Sequence, residues 1–457
     1  MDEVLDRSIA DQAAMLRAGE IGCVELMQAT LARIAKRDPD LDAFVHLDTQ
    51  AALSAAGCAQ RTLHADEPTP PLTGIPFAVK DLFDVAGQPG FCGSHAIDPA
   101  IAKADAETIG RLRAAGAIPI GKVATYEFAL TGPAFDQPYP PARNPWNTSH
   151  ITGGSSSGSA AAVAGGLVRF AIGTDTGGSV RSPASYCGVV GLKPSRGRIS
   201  SRGVFPLAGS LDTPGPIAAS VAEAAMILDA MGEPGRTDGA SSLLGTSIGG
   251  LRVAFAREWV ESDPATDGAL LPALDDAAGT LSRLGTAIDL VSMPDYDLFE
   301  AAGSVILQHE AFASHRERLK TRFADYGRAA RGNLLTGAIL GEDDLEAARE
   351  ASAGLAARVD ALFAKADVLI TATTLGPAPC FSDFKDGAAW TPMRTFPFSL
   401  TGHPAISLPC GFSRGMPLGL QIVAPHGAEA RLCQVAHAFE RASDHALVGP
   451  YESGLLA

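Results

Sequence analysis

Two serine-bearing glycine runs flank a small-residue segment in the middle of this chain. The first reads Gly153-Gly154-Ser155-Ser156-Ser157-Gly158-Ser159 and the second Thr174-Asp175-Thr176-Gly177-Gly178-Ser179. Glycine lets a backbone turn sharply and approach another group closely. A serine is a nucleophile only where a base and an oxyanion site lie at hand. Successive N–H groups of Thr176, Gly177, Gly178 and Ser179 can converge on one oxygen, as an oxyanion hole requires. Taken alone, the second run equally suits a turn whose serine caps the next helix. The first, in isolation, also reads as a flexible loop ending in a helix cap.

The best base on offer is Lys80, which closes the apolar run Ile75-Pro76-Phe77-Ala78-Val79 and precedes Leu82 and Phe83. A lysine at a strand end is often a surface residue, but these neighbours favour burial. Burial disfavours an ammonium ion and lowers its pKa from about 10.4, at a cost of roughly 4 kcal/mol for a thousandfold change in ionisation. A neutral lysine can take a proton. Among the ten histidines, His403 sits in a loop-like Thr401-Gly402-His403-Pro404, His309 and His315 in a helical region, and His150 just before the first glycine run. None stands out as a base, and none forms an HExxH or other ligand spacing, so neither metal nor cofactor is expected.

Two motifs compete. Gly154 to Gly158 fits the G-x-S-x-G nucleophile elbow, but that elbow follows a buried strand, and residues 144–150 read as loop. Gly116 to Lys122 has P-loop spacing, but Val123 stands where a magnesium-binding hydroxyl is needed, and residues 117–120 look like strand.

The elements around these runs alternate. Helical periodicity covers the first sixty or so residues, Asp48 to Leu63 included. Strands are expected at 75–79, 117–121, 169–173, 189–192, 251–255, 368–371, 405–408 and 418–423. Helices are expected at 105–115, 159–167, 221–231 and 428–442, with a mostly helical, charged stretch over 267–363. Such alternation predicts an α/β fold with helices on both faces of one sheet. No repeat or low-complexity linker marks a cut, so a single domain over 1–457 is expected.

Bulk properties narrow the function. The net charge of −15 argues against nucleic acid. No apolar run is long enough for a bilayer, and the acidic start MDEVLDRSIADQ lacks the features of an export signal. The seven cysteines are scattered and form no CxxC pair, so no disulfide framework or thiolate metal site is indicated, and a reduced cytoplasm is the simplest compartment.

Together these pieces resemble the amidase signature family. Three separated segments agree in order: GIPFAVKD around Lys80, GGSSSGSAAAVAGG from Gly153, and GTDTGGSVRSPA from Gly173. GLKPSRGRIS after Gly191 and GMPLGLQIVAP after Gly415 also look like this family. The likeness spans nearly the whole chain and is weakest over about 237–365, which then forms a variable helical insertion beside an N-terminal helical segment of about 1–66. The resemblance implies the amidase signature fold, a single large mixed β-sheet layered between helices. It further implies a Ser-Ser-Lys triad, with Ser179 as nucleophile and Ser155, preceded by a cis bond from Gly154, bridging it to Lys80. Thr176, Gly177 and Gly178 would form the oxyanion hole, and Asp175 and Arg181 are expected to pair and hold the loop. The run Ser155-Ser156-Ser157 departs slightly from the commoner GGSSGGS form, leaving Ser155 in place.

The expected function is hydrolysis of a carboxylic amide or related small acyl compound. Carbamate (urethane) or aryl-ester cleavage would use the same triad. A competing identity in the family is the glutaminase component of a tRNA-dependent amidotransferase, which works with partner subunits and usually has a longer tail. Because this chain stops at Ala457, a self-contained hydrolase is preferred, with a second copy of itself as the conceivable protein partner. The pocket is expected around Tyr126, Phe128, Thr131, Gly132 and Trp390. Phe381, Phe384, Phe396 and Phe398 suggest room for an aryl group, although each alone reads equally as core.

Overall fold

The computed structural model describes residues 1–65, 69–130, 132–233, 239–445 and 450. Position 66 of the N-terminal segment, 237 and 238 of the insertion, Thr131 and the tail 451–457 therefore lie outside the described residues.

Eleven strands make one mixed sheet. In chain order they are β1 (Phe44–Leu47), β2 (Pro76–Lys80), β3 (Ile118–Val123), β4 (Phe170–Asp175), β5 (Val190–Lys193), β6 (Thr213–Ala218), β7 (Arg252–Phe255), β8 (Ala287–Leu290), β9 (Val368–Ala372), β10 (Ala405–Ser413) and β11 (Met416–Val423). In space they run β1-β3-β2-β4-β6-β5-β10-β11-β9-β7-β8. β2 is parallel to both β3 and β4. The pairs β4–β6, β6–β5, β5–β10 and β10–β11 are antiparallel. Every residue of β2, β3 and β4 is buried. A strand covered on both faces needs a continuous apolar run rather than alternation, which is how 75–79 reads. The edge strand β8 is mostly exposed.

Helices are set by ordinary end signals. Asp48 accepts from Ala51 N at the start of the Thr49–Leu63 helix, and Ser220 accepts from Glu223 N at the start of Val221–Met231. The short Ser157–Ala164 helix is buried on every side and lies on β2, β3 and β4, which its small side chains permit. The stretch 267–363 carries four helices of ten or more residues, as expected, but also the strand β8.

Two further strands escape the sequence reading, β1 and β6. β6 reads Thr-Pro-Gly-Pro-Ile-Ala, and proline is a poor strand former because it lacks an N–H. Alternate residues point their N–H groups to the same side, so Pro214 and Pro216 spoil one edge only. β6 pairs with β4 along its full length but with β5 only at Ile217 and Ala218. A small hairpin, Arg143–Asn144 with Asn147–Ile151, also replaces the loop expected over 144–150. Its second strand is exposed or half-buried before Ile151 and lies outside the main sheet, so no buried strand leads into the glycine run. No helix among the described residues is long and apolar enough to cross a membrane. All seven cysteines are free.

Candidate active site

β2 carries Lys80 into the interior, where the residue is wholly buried. Its Nζ donates to Ser155 Oγ at 2.7 Å and to Thr174 Oγ1 at 2.8 Å. Burial lowers its pKa from the ordinary 10.5 to about 7, partly offset by the negative charges of Asp212 and Asp175. A sizeable fraction of the amine is therefore neutral near pH 7 and able to accept a proton.

Ser155 enters from the first glycine run through a cis Gly154–Ser155 peptide. A side chain at Gly154 would put its Cβ 2.3 Å from the Tyr126 ring, so only glycine fits beneath it. Ser156, the central serine of the elbow motif, is fully buried and donates to Thr174 O. That contact spends its hydroxyl on structure.

Ser179 lies in the turn between β4 and the Arg181–Cys187 helix. Ser156 N donates to Ser179 O at 3.2 Å, which ties the two serine runs together. Gly178 in this turn has φ +133°, and a Cβ there would sit 2.1 Å from Thr395 Oγ1. Both the backbone angle and the space demand glycine. Thr395 in turn donates to Gly177 O.

Asp175 and Arg181 pair as expected, 2.8 Å apart and both fully buried. Arg181 sends Nε and Nη2 to the two Asp175 oxygens, Nη1 to Thr395 O and Gln421 Oε1, and Nη2 also to Ser399 Oγ. Burial alone would raise the Asp175 carboxyl, but Arg181, with Lys193 and the Val180 N–H, holds it below its ordinary value. The turn is thus anchored from behind by a charge pair with its donors used.

Ser155 and Ser179 line one cleft together with Tyr126, Gly132, Gly154 and Trp390. Trp390 is 42% exposed and leans on Phe396. Phe128 is a correction. It is fully buried, with its ring 5.0 Å from Phe205, 4.5 Å from His315 and 5.5 Å from Tyr326, and it fills core instead of facing the cleft. Phe384, Phe396 and Phe398 are buried core as well, and Phe381 packs on Phe135. Ala129, Leu130, Ile151, Gly153, Ser182, Ala389, Thr391 and Met393 complete the wall. They arrive from four separate segments, and nothing in their spacing announces it.

Sequence reasoning also missed Thr174, Asp212 and Lys193. Thr174 sits one residue before Asp175 and takes the second lysine hydrogen bond. Asp212 accepts from Thr176 Oγ1 and from Leu207 N, while burial pushes its carboxyl up. Lys193 ends β5, where burial lowers its pKa to about 7. Among the histidines, His315 bonds Tyr326, His309 faces Glu342, His150 approaches Cys380 Sγ, and His403 contacts Thr401 and Asp360. None of these four lines the cleft.

A family model described as amidase matches residues 25–433. The chain belongs to the amidase signature family. The A component of the glutamyl-tRNA(Gln) amidotransferase of Chromohalobacter salexigens is 36% identical, with 97% of this chain and 98% of that protein covered. Among solved structures, the family fold recurs in a chain of a vestigial protein complex described as revealing the origins of an s-triazine catabolic enzyme. That match has TM-score 0.87 and 32% identity, over 95% of this chain and 98% of the other. A native peptide amidase from Stenotrophomonas maltophilia matches with TM-score 0.82 and 30% identity, over 95% of this chain and 96% of the other. The chain is therefore an enzyme of the carbon–nitrogen amidohydrolase kind.

Proposed function

We propose that this chain hydrolyses a small neutral carboxamide through an acyl-enzyme on Ser179. The observation that carries the reading is the buried Lys80 amine, 2.7 Å from Ser155 Oγ, beneath a cleft that Ser155 shares with Ser179. Neutral Lys80 takes the Ser155 proton as Ser155 takes that of Ser179. Ser179 Oγ attacks the carbonyl carbon, and the oxyanion is received by N–H groups of Thr176, Gly177, Gly178 and Ser179. Collapse breaks the C–N bond, and Ser155 returns its proton to the leaving amine while Lys80 reprotonates Ser155. Water then repeats the attack and frees the acid. Carbamates and esters fit the same steps.

Charge supports the neutral acyl group. Among the described residues, the cleft wall carries no Asp, Glu, Lys or Arg. A free amino acid presents an ammonium and a carboxylate, and burying either without a partner is costly.

The curated relatives favour a second reading over the self-contained hydrolase expected from the sequence. They are A components of amidotransferases, matched over 97% of this chain in the Chromohalobacter case, so glutamine would be the amide and partner subunits would be needed.

Both readings are tested with Ser179→Ala, a fluorophosphonate probe and a substrate panel. The expected results are no turnover in the variant, a covalent adduct on Ser179 in the parent, and faster cleavage of neutral aliphatic or aryl amides than of glutamine. Full activity in Ser179→Ala ends the mechanism. Glutamine as the best substrate, or co-purifying partners that raise its hydrolysis, moves the assignment to the second reading.

A further inference from the structure

Near Lys193, three potential ligands meet that no sequence spacing connects. Asp360 stands near the end of the Glu342–Phe363 helix. His403 lies between the Phe396–Leu400 helix and β10, and His426 follows β11. Asp360 Oδ1 is 3.0 Å from His403 Nε2, and the two imidazole rings are 4.2 Å apart, tilted by 33°. One ligand atom from each residue lies within 4.8 Å of the others.

We propose that Asp360, His403 and His426 form a site for a borderline transition-metal ion of the zinc class, separate from the amide chemistry. Two imidazoles and a carboxylate suit such an ion better than magnesium or calcium, which prefer all-oxygen shells. His403 is already oriented as a ligand. Its Nδ1 is held 2.9 Å from Thr401 Oγ1 and its ring packs on Phe363. In the metal-free arrangement Nε2–H donates to the Asp360 carboxylate and Nδ1 accepts from Thr401 Oγ1, so an ion displaces the Nε2 proton and the Thr401 contact, reversed, then fixes the imidazole. The residue is wholly buried, whereas Asp360 and His426 are exposed. One fixed ligand and two on the surface give the ion an entry path and room for a water as fourth ligand. Metal bonds of about 2.0–2.2 Å place ligand atoms a little over 3 Å apart, so exposed His426 must close by roughly an ångström.

The neighbouring charges set the strength. Lys193 and Arg196 face the histidines, and Glu429 opposes them. With Arg196 and the part-protonated Lys193 close by, binding is expected in the micromolar range. A bound ion joins the Glu342–Phe363 helix to the loop that follows the Phe396–Leu400 helix. Ser399 of that short helix, and Thr395 just before it, hold Arg181 and Gly177.

The test uses the full chain stripped with a chelator and titrated with Zn²⁺ by calorimetry, then with Co²⁺ by visible absorption. His426→Ala and Asp360→Asn remove exposed ligands and should not unfold the chain. Cys380→Ser removes the competing thiol beside His150. The expected result is one Zn²⁺ per chain, micromolar, unchanged in Cys380→Ser, with a chelator-reversible rise in Tm. Binding should weaken by at least about tenfold in His426→Ala and in Asp360→Asn, and Co²⁺ should show no sulfur charge-transfer band. Absence of saturable binding in the parent, parent-like binding in His426→Ala, or a sulfur-to-cobalt band would each overturn the site.

Discussion

Replacing Lys80 by methionine should abolish turnover and yet stabilise the folded chain at neutral pH. The folded pKa of Lys80 is about 7 against an ordinary 10.5. Between those values the unfolded chain holds a proton that the folded chain has released, so stability rises with pH across that window. Below it the full cost of stripping or burying the ammonium applies, and above it the cost vanishes. At pH 7 the cost is about 4 kcal/mol, and near pH 9 it has fallen to about 2 kcal/mol. Methionine escapes it but forfeits the hydrogen bonds to Ser155 and Thr174, worth about 1 kcal/mol each. The net expectation is a variant about 2 kcal/mol more stable than the parent at pH 7, level near pH 9 and less stable near pH 10.5. Chemical denaturation followed by tryptophan fluorescence at those three pH values measures the crossing. A variant less stable than the parent at pH 7, or a difference that ignores pH, would refute a buried amine held near neutrality.

The same group sets the pH profile of the reaction: kcat/KM should climb through about pH 7 as Lys80 loses its proton, and a profile flat down to about pH 4 would contradict the relay. Arg181→Lys keeps the charge but not the fork that engages Asp175, Thr395, Gln421 and Ser399; a loss of roughly 3 kcal/mol or more is expected in thermal denaturation, and an unchanged Tm would count against the anchor. Trp390→Ala should raise KM for aryl amides and leave Tm nearly unaltered, because the ring is 42% exposed at the cleft; an unaltered KM would remove it from the substrate wall.

Much of the frame was legible because its signals are local. A doubly covered strand such as β2 must be continuously apolar, and a helix laid closely on it must be made of small residues. β6 was hidden because its prolines speak against a strand, and only the one-sided ladder in space removes the objection. β1 and β8 are edge strands of four residues, too short to impose a period. Thr131 and the tail 451–457 are outside what the structure describes.

The site divides along the same line. Lys80, Ser155 and the Asp175–Arg181 pair lie in or beside runs whose composition is itself unusual, and their contacts follow. Asp212 reaches Thr176 across a gap of thirty-six residues, so its place depends on β6 lying beside β4, an adjacency that no local pattern announces. Phe128 failed for a related reason: its neighbours suggested a pocket wall, but its ring turns toward Phe205, His315 and Tyr326, which are distant in sequence. The cleft proposed to take the acyl group is built almost wholly from such distant meetings. An uncharged wall made of Tyr126, Ile151, Trp390 and Met393 is therefore a property of the packing. On the proposed function, substrate choice would follow from that packing and the proton relay from Lys80 and the glycine runs, so the two would vary independently: chains that share the serines and the lysine could still differ in the amide they accept.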